Sequence, residues 1–390
     1  MDFTLNGRVV AVDVATGESL LSVLRGTCGL RSMKDGCAPE GSCGACTVIV
    51  DGRAVVSCAQ PAARAAGRTV ETLEGLPRDA RDLWADAFVA TGASQCGYCS
   101  PGIVMKAEAL LRRDPAPSRE SIMRALAGNL CRCTGYASIV DAVELAAGVR
   151  RGGPDAPGVS AASLDPAVAR YEGRALALGE KPFVADLLAP GMLQGALRFA
   201  GVPRAVVRRI DTTRAAAVPG VIAVITAADV PGRREQGLIV ADWPQLVAEG
   251  ETTRYVGDIL AAVAAETREA AIAAAELVDV ELEPLPPVTD PFVAMEDGAV
   301  PIHAGGNLVA RSVIQRGDAG AALASAAHVA SASFRTQSIE HAFLEPEASL
   351  AVPAGAAGPD GRLVTGHRVH VYSEGQGAWE DRRQIASFLA

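Results

Sequence analysis

The alternation of apolar and polar positions predicts a small unit of mixed strands and helix at the start of the chain. FTLNGRVVAVDV places apolar residues on both sides of Asn6-Gly7, which is typical of a β-hairpin because both residues tolerate positive φ. ESLLSVLRG then has helical spacing and ends at Gly26, and TVIVDGRAVVSC repeats the strand, turn and strand pattern. We therefore expect an α+β unit over residues 1–75.

Helical periodicity replaces this alternation over residues 76–150. The segments RDLWADAFVATG, PGIVMKAEALLRRD, SRESIMRALAGN and SIVDAVELAAGVR repeat apolar residues at the period of a helix, and none alternates like a strand. Ser118 is the expected N-cap of the third segment, and Gly128 lies just beyond its last periodic residue. The pattern predicts a four-helix unit.

The rest of the chain divides at two stretches rich in proline. RGGPDAPGVSAASLDP lacks periodicity and predicts a linker over residues 151–164. VIAVITAADV, YVGDILAAVAAET and LVDVELEPLP then indicate strands around the helix TREAAIAAAELV, so residues 165–286 form a predicted α/β region. LEPLPPVTDP marks the next boundary, and residues 287–390 contain strand-like runs and a closing helix, DRRQIASFLA.

Composition excludes several classes of protein. The 390 residues are 49 % hydrophobic, which supports folded cores, and carry a net charge of −9. Nucleic-acid binding needs clustered Lys and Arg, so no nucleic-acid partner is expected. The sequence has no basic leader followed by an apolar stretch and no apolar segment long enough to cross a bilayer, so we expect a cytoplasmic protein without a membrane span.

Eight of the nine cysteines fall into two groups of four. A reducing cytosol keeps thiols free for soft metals, so these groups are better interpreted as metal ligands than as disulfides. The first group is Cys37, Cys43, Cys46 and Cys58; the second is Cys96, Cys99, Cys131 and Cys133. The pattern predicts a protein that moves electrons.

The first group has the spacing of a plant-type 2Fe-2S loop. Two residues separate Cys43 from Cys46, and Cys58 follows across the Asp51-Gly52 turn. The plant-type spacing has four residues between the first two cysteines, whereas this chain has five, APEGS. The extra residue follows Cys37, so Cys37 is the ligand candidate whose assignment this departure affects. Glycines suit such a loop because backbone amides must approach the inorganic sulfides closely.

The second group pairs C-x2-C with C-x-C and allows two interpretations. Four cysteines in two pairs also describe structural zinc, although zinc sites more often use two C-x2-C knuckles. A 2Fe-2S cluster is the alternative that the neighbouring plant-type loop favours. Cys28, the ninth cysteine, is expected to be a small buried hydrophobe rather than a ligand.

QCGYCSPG and GNLCRCTGY, following a plant-type loop, resemble the iron-sulfur region of the molybdenum hydroxylases, the xanthine dehydrogenase and aldehyde oxidase family. The resemblance implies a β-grasp 2Fe-2S ferredoxin over residues 1–75 and a helical second 2Fe-2S domain over residues 76–150. It also implies that Gln95 and Cys133 touch the pterin of a molybdenum-molybdopterin cofactor.

The resemblance continues beyond the linker. DLLAPGMLQGALRFAGVPRAVVRRID and the strands after it are similar to the family's α/β hammerhead domain, here residues 165–286, and residues 287–390 resemble an incomplete molybdopterin-binding domain. In the family, a glutamine before the last helix of this region hydrogen-bonds the molybdenum oxo group, and Gln376 matches it. The alternative is a polar turn residue between two glycines.

The layout carries further expectations. No flavin domain follows residue 149, so the clusters would pass electrons to an external acceptor; this layout and the SEGQG segment resemble the selenium-dependent xanthine dehydrogenase-like branch. The chain stops at Ala390, before the family's glycine-rich segment and glutamate base, so no catalytic residue is expected within it.

The resemblance implies an oxidoreductase that hydroxylates N-heterocycles such as xanthine, or aldehydes, and drains electrons through two 2Fe-2S clusters. Two alternatives are an iron-sulfur electron-transfer subunit whose molybdenum subunit is a separate chain, and an inactive truncated fragment. The expected partners are a small substrate and the external electron acceptor, with a homodimer as one possible assembly.

Overall fold

The computed structural model describes residues 1–152 and 170–390, so most of the predicted linker at 151–164 lies outside the described residues. The chain forms two compact units. The first comprises Met1–Leu187 and Gln337–Leu350, and the second Leu188–Thr336 and Ala351–Ala390. Within the described ranges, no helix is both long enough and apolar enough to cross a bilayer.

The first unit begins with the predicted hairpins, joined in one five-stranded sheet of order β2-β1-β5-β3-β4. Its strands are β1 (Asp2–Leu5), β2 (Arg8–Ala11), β3 (Thr47–Val50), β4 (Arg53–Val56) and β5 (Thr69–Glu71). Asn6-Gly7 and Asp51-Gly52 both have positive φ, as two-residue hairpin turns require, so both predicted turns are confirmed.

The helix predicted beside this sheet is shorter than its apolar spacing indicates. Ser19 is the N-cap of a single α-helical turn, α1 (Leu20–Ser22), and its side chain accepts a hydrogen bond from the amide of Ser22. It continues as a π-helical turn, Val23–Thr27. Leu20 and Leu24 nevertheless lie fully buried against Phe3 and Val48 of the sheet, so the predicted apolar face is correct.

Residues 76–150 form the four predicted helices, α2 (Arg78–Thr91), α3 (Ser100–Arg113), α4 (Arg119–Leu126) and α5 (Ala137–Arg150). The predicted N-cap is confirmed, because the Ser118 side chain accepts from the amide of Ser121 at 3.2 Å. Trp84, Phe88 and Ile103 are fully buried in the core of this bundle.

Residues 170–187 pack on the iron-sulfur part of the chain rather than with the strands that follow them. This segment contains α6 (Gly173–Ala177) and a 3₁₀ turn, Val184–Asp186. The Arg174 guanidinium forms ion pairs with Asp82 and Asp86 of α2. The segment therefore ties the start of the next region to the helical bundle.

The second unit contains three small antiparallel sheets between residues 194 and 284, with orders β6-β11-β8, β12-β7 and β10-β9. The predicted strands are present, and so is the predicted helix, whose N-cap is Thr267. The elements are β6 (Gln194–Phe199), β7 (Ala205–Asp211), α7 (Thr213–Ala216), β8 (Val221–Thr226), β9 (Glu235–Gln236), β10 (Trp243–Pro244), β11 (Ile259–Ala265), α8 (Arg268–Glu276) and β12 (Asp279–Pro284).

The remaining elements are sparser. They are α9 (Ala319–Ser325), β13 (Ser349–Pro353), β14 (Val369–Ser373) and α10 (Ala378–Leu389). β13 and β14 form a two-stranded sheet, and α10 is the predicted closing helix.

Candidate metal centres

The first four cysteines meet in the loop between α1 and β3 and at the end of β4. Cys43, Cys46 and Cys58 are buried, and Cys37 is half-buried. The amide of Cys43 donates to the Cys37 sulfur at 3.3 Å, and the amide of Cys58 donates to the Cys46 sulfur at 3.4 Å. The side chains of Cys43 and Cys58 also hydrogen-bond those of Cys37 and Cys46, respectively, so the four thiols form two neighbouring pairs, which we call the first cysteine site.

Hydrogen bonding and burial shift the pKa values of the thiols in this site in opposite directions. Burial alone would raise the pKa of Cys37, but hydrogen bonds from Ser42 and Cys43 outweigh it and lower that pKa. Burial raises the pKa of Cys43 to about 11 and that of Cys58 to about 12. Such buried thiols deprotonate readily only where a positively charged partner such as a metal ion stabilises the thiolate.

Two glycines shape this loop. Gly41 and Gly44 have φ of +68° and +72°, which an L residue adopts only with strain. A Cβ at Gly44 would lie 2.5 Å from the Gly128 carbonyl oxygen and 2.6 Å from the Asn129 side chain. Gly44 therefore allows the loop to approach the helical bundle closely.

The second four cysteines lie at the amino-terminal ends of two helices. Cys96 and Cys99 precede α3, and Cys131 and Cys133 lie between α4 and α5. The sulfur atoms of Cys96 and Cys133 are 3.8 Å apart, and the Cys99 thiol donates a hydrogen bond to the Cys131 sulfur. Each pair of this second cysteine site joins one cysteine of C-x2-C to one of C-x-C.

The pKa values of the thiols in the second site are also shifted in opposite directions. The hydrogen bond from Cys99, helped by Thr134, lowers the pKa of Cys131 to about 5, although burial opposes the shift. The same hydrogen bond raises the pKa of Cys99, and burial raises the pKa of Cys96 to about 12. The Cys131 amide also donates to the Tyr136 hydroxyl at 2.8 Å, which fixes the loop before α5.

The pairing fits a two-iron cluster better than one tetrahedral ion. Among residues 1–152 and 170–390, no three His, Cys, Asp or Glu side chains converge closely enough to hold a single metal ion. Structural zinc needs four ligands around one point, whereas a 2Fe-2S cluster takes four thiolates in two pairs. Both sites have that paired arrangement.

A direct backbone contact joins the two sites. The amide of Leu130, next to Cys131, donates to the carbonyl oxygen of Cys43 at 2.8 Å. The neighbouring Asn129 side chain is buried and donates to the Gly44 carbonyl at 3.0 Å. The segment GNLCRC thus carries two ligand candidates and also hydrogen-bonds the loop of the first site. The spacing of the cysteines did not reveal this second role, to which Asn129 contributes.

Sequence reasoning also missed a buried ion pair beside the first site. The Lys34 ammonium is fully buried and lies 2.6 Å from the Asp186 carboxylate, which also binds the Arg25 guanidinium at 2.6 Å. Burial lowers the pKa of Lys34, although Asp186 opposes the shift. The Tyr98 ring packs edge-on against Phe183, and its hydroxyl donates to the Asp35 carbonyl. Since 152 positions separate Lys34 from Asp186, no local signal could have revealed this pair.

The residues expected to contact the molybdenum cofactor lie in both units. The exposed Gln95 side chain donates to the Cys133 carbonyl oxygen at 3.0 Å, so these two candidates are neighbours on the first unit. Gln376 is exposed in the turn between β14 and α10 of the second unit.

Four domain families match the chain in succession. These are the 2Fe-2S iron-sulfur cluster binding domain at 3–72, the [2Fe-2S] binding domain at 72–144, the aldehyde oxidase and xanthine dehydrogenase a/b hammerhead domain at 178–286, and the molybdopterin cofactor-binding domain at 302–390. The chain belongs to the molybdenum hydroxylase family of aldehyde oxidoreductases and xanthine dehydrogenases. It therefore contains two 2Fe-2S-binding domains and a molybdopterin-binding domain, as the sequence predicted.

Individual members of the molybdenum hydroxylase family agree with this assignment. The aldehyde oxidoreductase of Megalodesulfovibrio gigas is 36 % identical over 387 residues, which cover 91 % of this chain and 42 % of that protein. The nicotinate dehydrogenase small FeS subunit of Eubacterium barkeri is 45 % identical over 37 % of this chain and 93 % of its own length.

The fold agrees as well. The solved aldehyde oxidoreductase from Desulfovibrio gigas superposes with a TM-score of 0.81 at 31 % identity, covering 96 % of this chain and 43 % of the other. The chain thus spans less than half the length of this molybdenum hydroxylase.

Proposed function

We propose that this chain is part of a molybdenum- and iron-sulfur-dependent oxidoreductase and that its eight clustered cysteines hold two 2Fe-2S clusters. The first cluster would be bound by Cys37, Cys43, Cys46 and Cys58, and the second by Cys96, Cys99, Cys131 and Cys133. The observation that carries the proposal is the pairing of thiols within each site, because it matches two irons sharing four thiolates.

The chain's own residues would hold the cofactors and connect the two clusters for electron transfer. When bound, the molybdenum cofactor supplies two-electron oxidation chemistry, and the clusters carry electrons singly. Gln95 and Cys133 would contact the pterin, since they are neighbours at an accessible edge of the second site, and Gln376 would donate a hydrogen bond to the metal's oxo group. The contact between Leu130 and Cys43 would connect the two clusters.

The proposed substrates are aldehydes or N-heterocycles such as xanthine. The similar proteins include an aldehyde oxidoreductase and nicotinate dehydrogenase subunits, which supports this class of substrate without selecting one member. Electrons would leave through an external acceptor.

A second candidate function is electron transfer by an iron-sulfur subunit that has no catalytic centre of its own. The match to nearly the whole length of a small FeS subunit favours it, whereas the hammerhead and molybdopterin-binding regions favour the oxidoreductase. The two candidates differ in metal content.

Metal analysis of the purified protein, combined with electron paramagnetic resonance after reduction, tests both. We expect four irons per chain and two distinct 2Fe-2S signals, with molybdenum and pterin bound to the protein that carries this chain. Iron without molybdenum would favour the electron-transfer subunit, and zinc in place of iron would overturn both candidates.

Two finer features belong to this proposal. Nine free cysteines within the described ranges suit a reducing compartment, so we place the protein in the cytoplasm, which fractionation would check. A homodimer stays a prediction, and sedimentation would check it.

A further inference from the structure

A groove of basic character lies beside the first cysteine site, between the edge strand β4 and the helices α3 and α4. It has a volume of about 810 Å³. One carboxylate, that of Asp51, faces it together with five cationic side chains. These are Arg53, Lys106, Arg112, Arg113 and Arg124. The chain as a whole carries a net charge of −9, so the charge of this basic groove is opposite to that of the molecule.

The positive charge of the basic groove is only partly neutralised. Asp51 is already engaged by the Arg68 guanidinium at 2.6 Å and the Thr69 amide. Glu71 and Glu108 neutralise Arg112, and Glu120 lies 3.8 Å from Arg124 with both side chains largely exposed.

The other three cations remain available. Within residues 1–152 and 170–390, Arg53, Lys106 and Arg113 have no carboxylate within ion-pair distance. They can therefore attract an anionic surface without breaking an existing ion pair.

The basic groove continues to the first cysteine site. A neighbouring depression of about 480 Å³ shares Ala54 and Lys106 with it and reaches Gly41 and Ala59. Gly41 lies in the ligand loop and donates a backbone hydrogen bond to the Cys58 sulfur, and Ala59 follows Cys58 directly. A molecule seated in the basic groove would thus lie next to two segments that carry ligand candidates.

We propose that the basic groove docks a small acidic protein that carries single electrons and that accepts them from the first cluster. The inference rests on the proposed function, since it needs that cluster. One electron passes from the reduced cluster to the oxidised carrier, and no bond forms or breaks. The occupant is a protein because the three available cations are spread over the strand β4 and the helix α3, and charge complementarity over such an area steers and orients a macromolecular partner.

Stopped-flow measurement of electron transfer tests the proposal with two haem probes of opposite charge, acidic cytochrome b5 and basic cytochrome c. The purified protein is reduced, mixed anaerobically with either oxidised cytochrome, and followed by haem absorption. We expect the rate with cytochrome b5 to fall steeply as salt is added. The triple variant Arg53→Glu/Lys106→Glu/Arg113→Glu should lower that rate by about tenfold or more at low salt and remove its salt dependence.

The chain offers a matched control for the single variant Arg53→Glu. Arg8 and Arg53 each follow the glycine of a two-residue hairpin turn, and both are exposed on edge strands, but β2 and β4 are opposite edges of the sheet. Arg8→Glu changes the net charge equally and should leave the cytochrome b5 rate within about twofold of the original, whereas Arg53→Glu should lower it by about threefold or more.

The outcomes separate the two proposals. A protein without 2Fe-2S absorption would overturn the proposed function together with the groove. If the protein holds both clusters but the triple variant reduces cytochrome b5 as fast as the unmodified chain, only the proposed docking at the basic groove is overturned. Equal slowing with cytochrome c and with neutral benzoquinone would show damage to the cluster rather than lost docking, and would also contradict the proposal.

Discussion

The two cysteine sites reach the same paired arrangement of thiols by different routes. Three cysteines of the first site lie within one ten-residue loop, where backbone amides donate to the sulfur atoms of Cys37 and Cys46. The second site is assembled from two segments 31 residues apart, and each of its sulfur pairs joins one segment to the other. The first site therefore depends mainly on a local loop, and the second on the packing of helices.

The largest effect that tests this comparison is loss of one cluster without the other. Cys99→Ser should remove the second 2Fe-2S signal and about half of the bound iron, because Cys99, at the start of α3, is a buried member of the proposed ligand set. Cys46→Ser should remove the first signal instead. Electron paramagnetic resonance and iron analysis of both variants check this. Retention of both signals in Cys99→Ser would contradict the ligand assignment.

The next largest effect concerns the buried charges beside the first site. Asp186→Asn leaves the Lys34 ammonium buried without its counter-charge, which should lower the free energy of unfolding by about 3–5 kcal/mol. Thermal unfolding at several pH values checks this. Lys34→Met/Asp186→Leu is the matched control, since removing both charges should cost much less than removing one. A double variant less stable than Asp186→Asn would show that the pair itself is stabilising.

The pH dependence of this variant follows from two pKa shifts. Burial alone would raise the pKa of Asp186, but Lys34 and Arg25 outweigh it and hold that pKa below 3.8. The stability from this carboxylate is thus present above about pH 4 and lost as pH falls through the folded pKa. Burial lowers the pKa of Lys34, so the unfolded chain binds more protons near its titration. Asp186→Asn should therefore gain stability as the pH rises toward about 10.

A smaller effect is expected at the contact between the two regions. A Cβ at Gly102 in α3 would lie 2.3 Å from the carbonyl oxygen of Gly44, so Gly102→Ala should cost about 1–3 kcal/mol and weaken both signals. Gly148→Ala in α5 is the matched control, because nothing lies within 4 Å of its Cβ position; it should stabilise the helix by up to about 1 kcal/mol. Chemical denaturation compares the two, and equal behaviour would contradict the close approach.

The contrast between the two sites also explains what the sequence could predict. The turns at Asn6-Gly7 and Asp51-Gly52 and the apolar periodicity of residues 76–150 are local signals, and the two hairpins and the four helices followed from them. The pairs within the second site, and the ion pair of Lys34 with Asp186, depend on contacts between distant segments. The π-helical turn after Ser22 was missed because apolar spacing does not distinguish it from a regular helix.

The smallest expected effect is at Cys28, and it sharpens the assignment of the first site. Cys28 packs at the edge of the first core and is half-buried, so it is less enclosed than the buried position that the sequence predicted, and burial raises the pKa of its thiol. Cys28→Ser should leave both signals and the iron content unchanged and lower stability by no more than about 1 kcal/mol. Cys37→Ser, at the position where the loop is one residue longer than plant-type spacing, should abolish the first signal. The opposite result, a signal lost in Cys28→Ser and kept in Cys37→Ser, would exchange the two residues in the ligand set. The first site would then extend back toward α1 and would no longer have three of its ligands within one ten-residue loop.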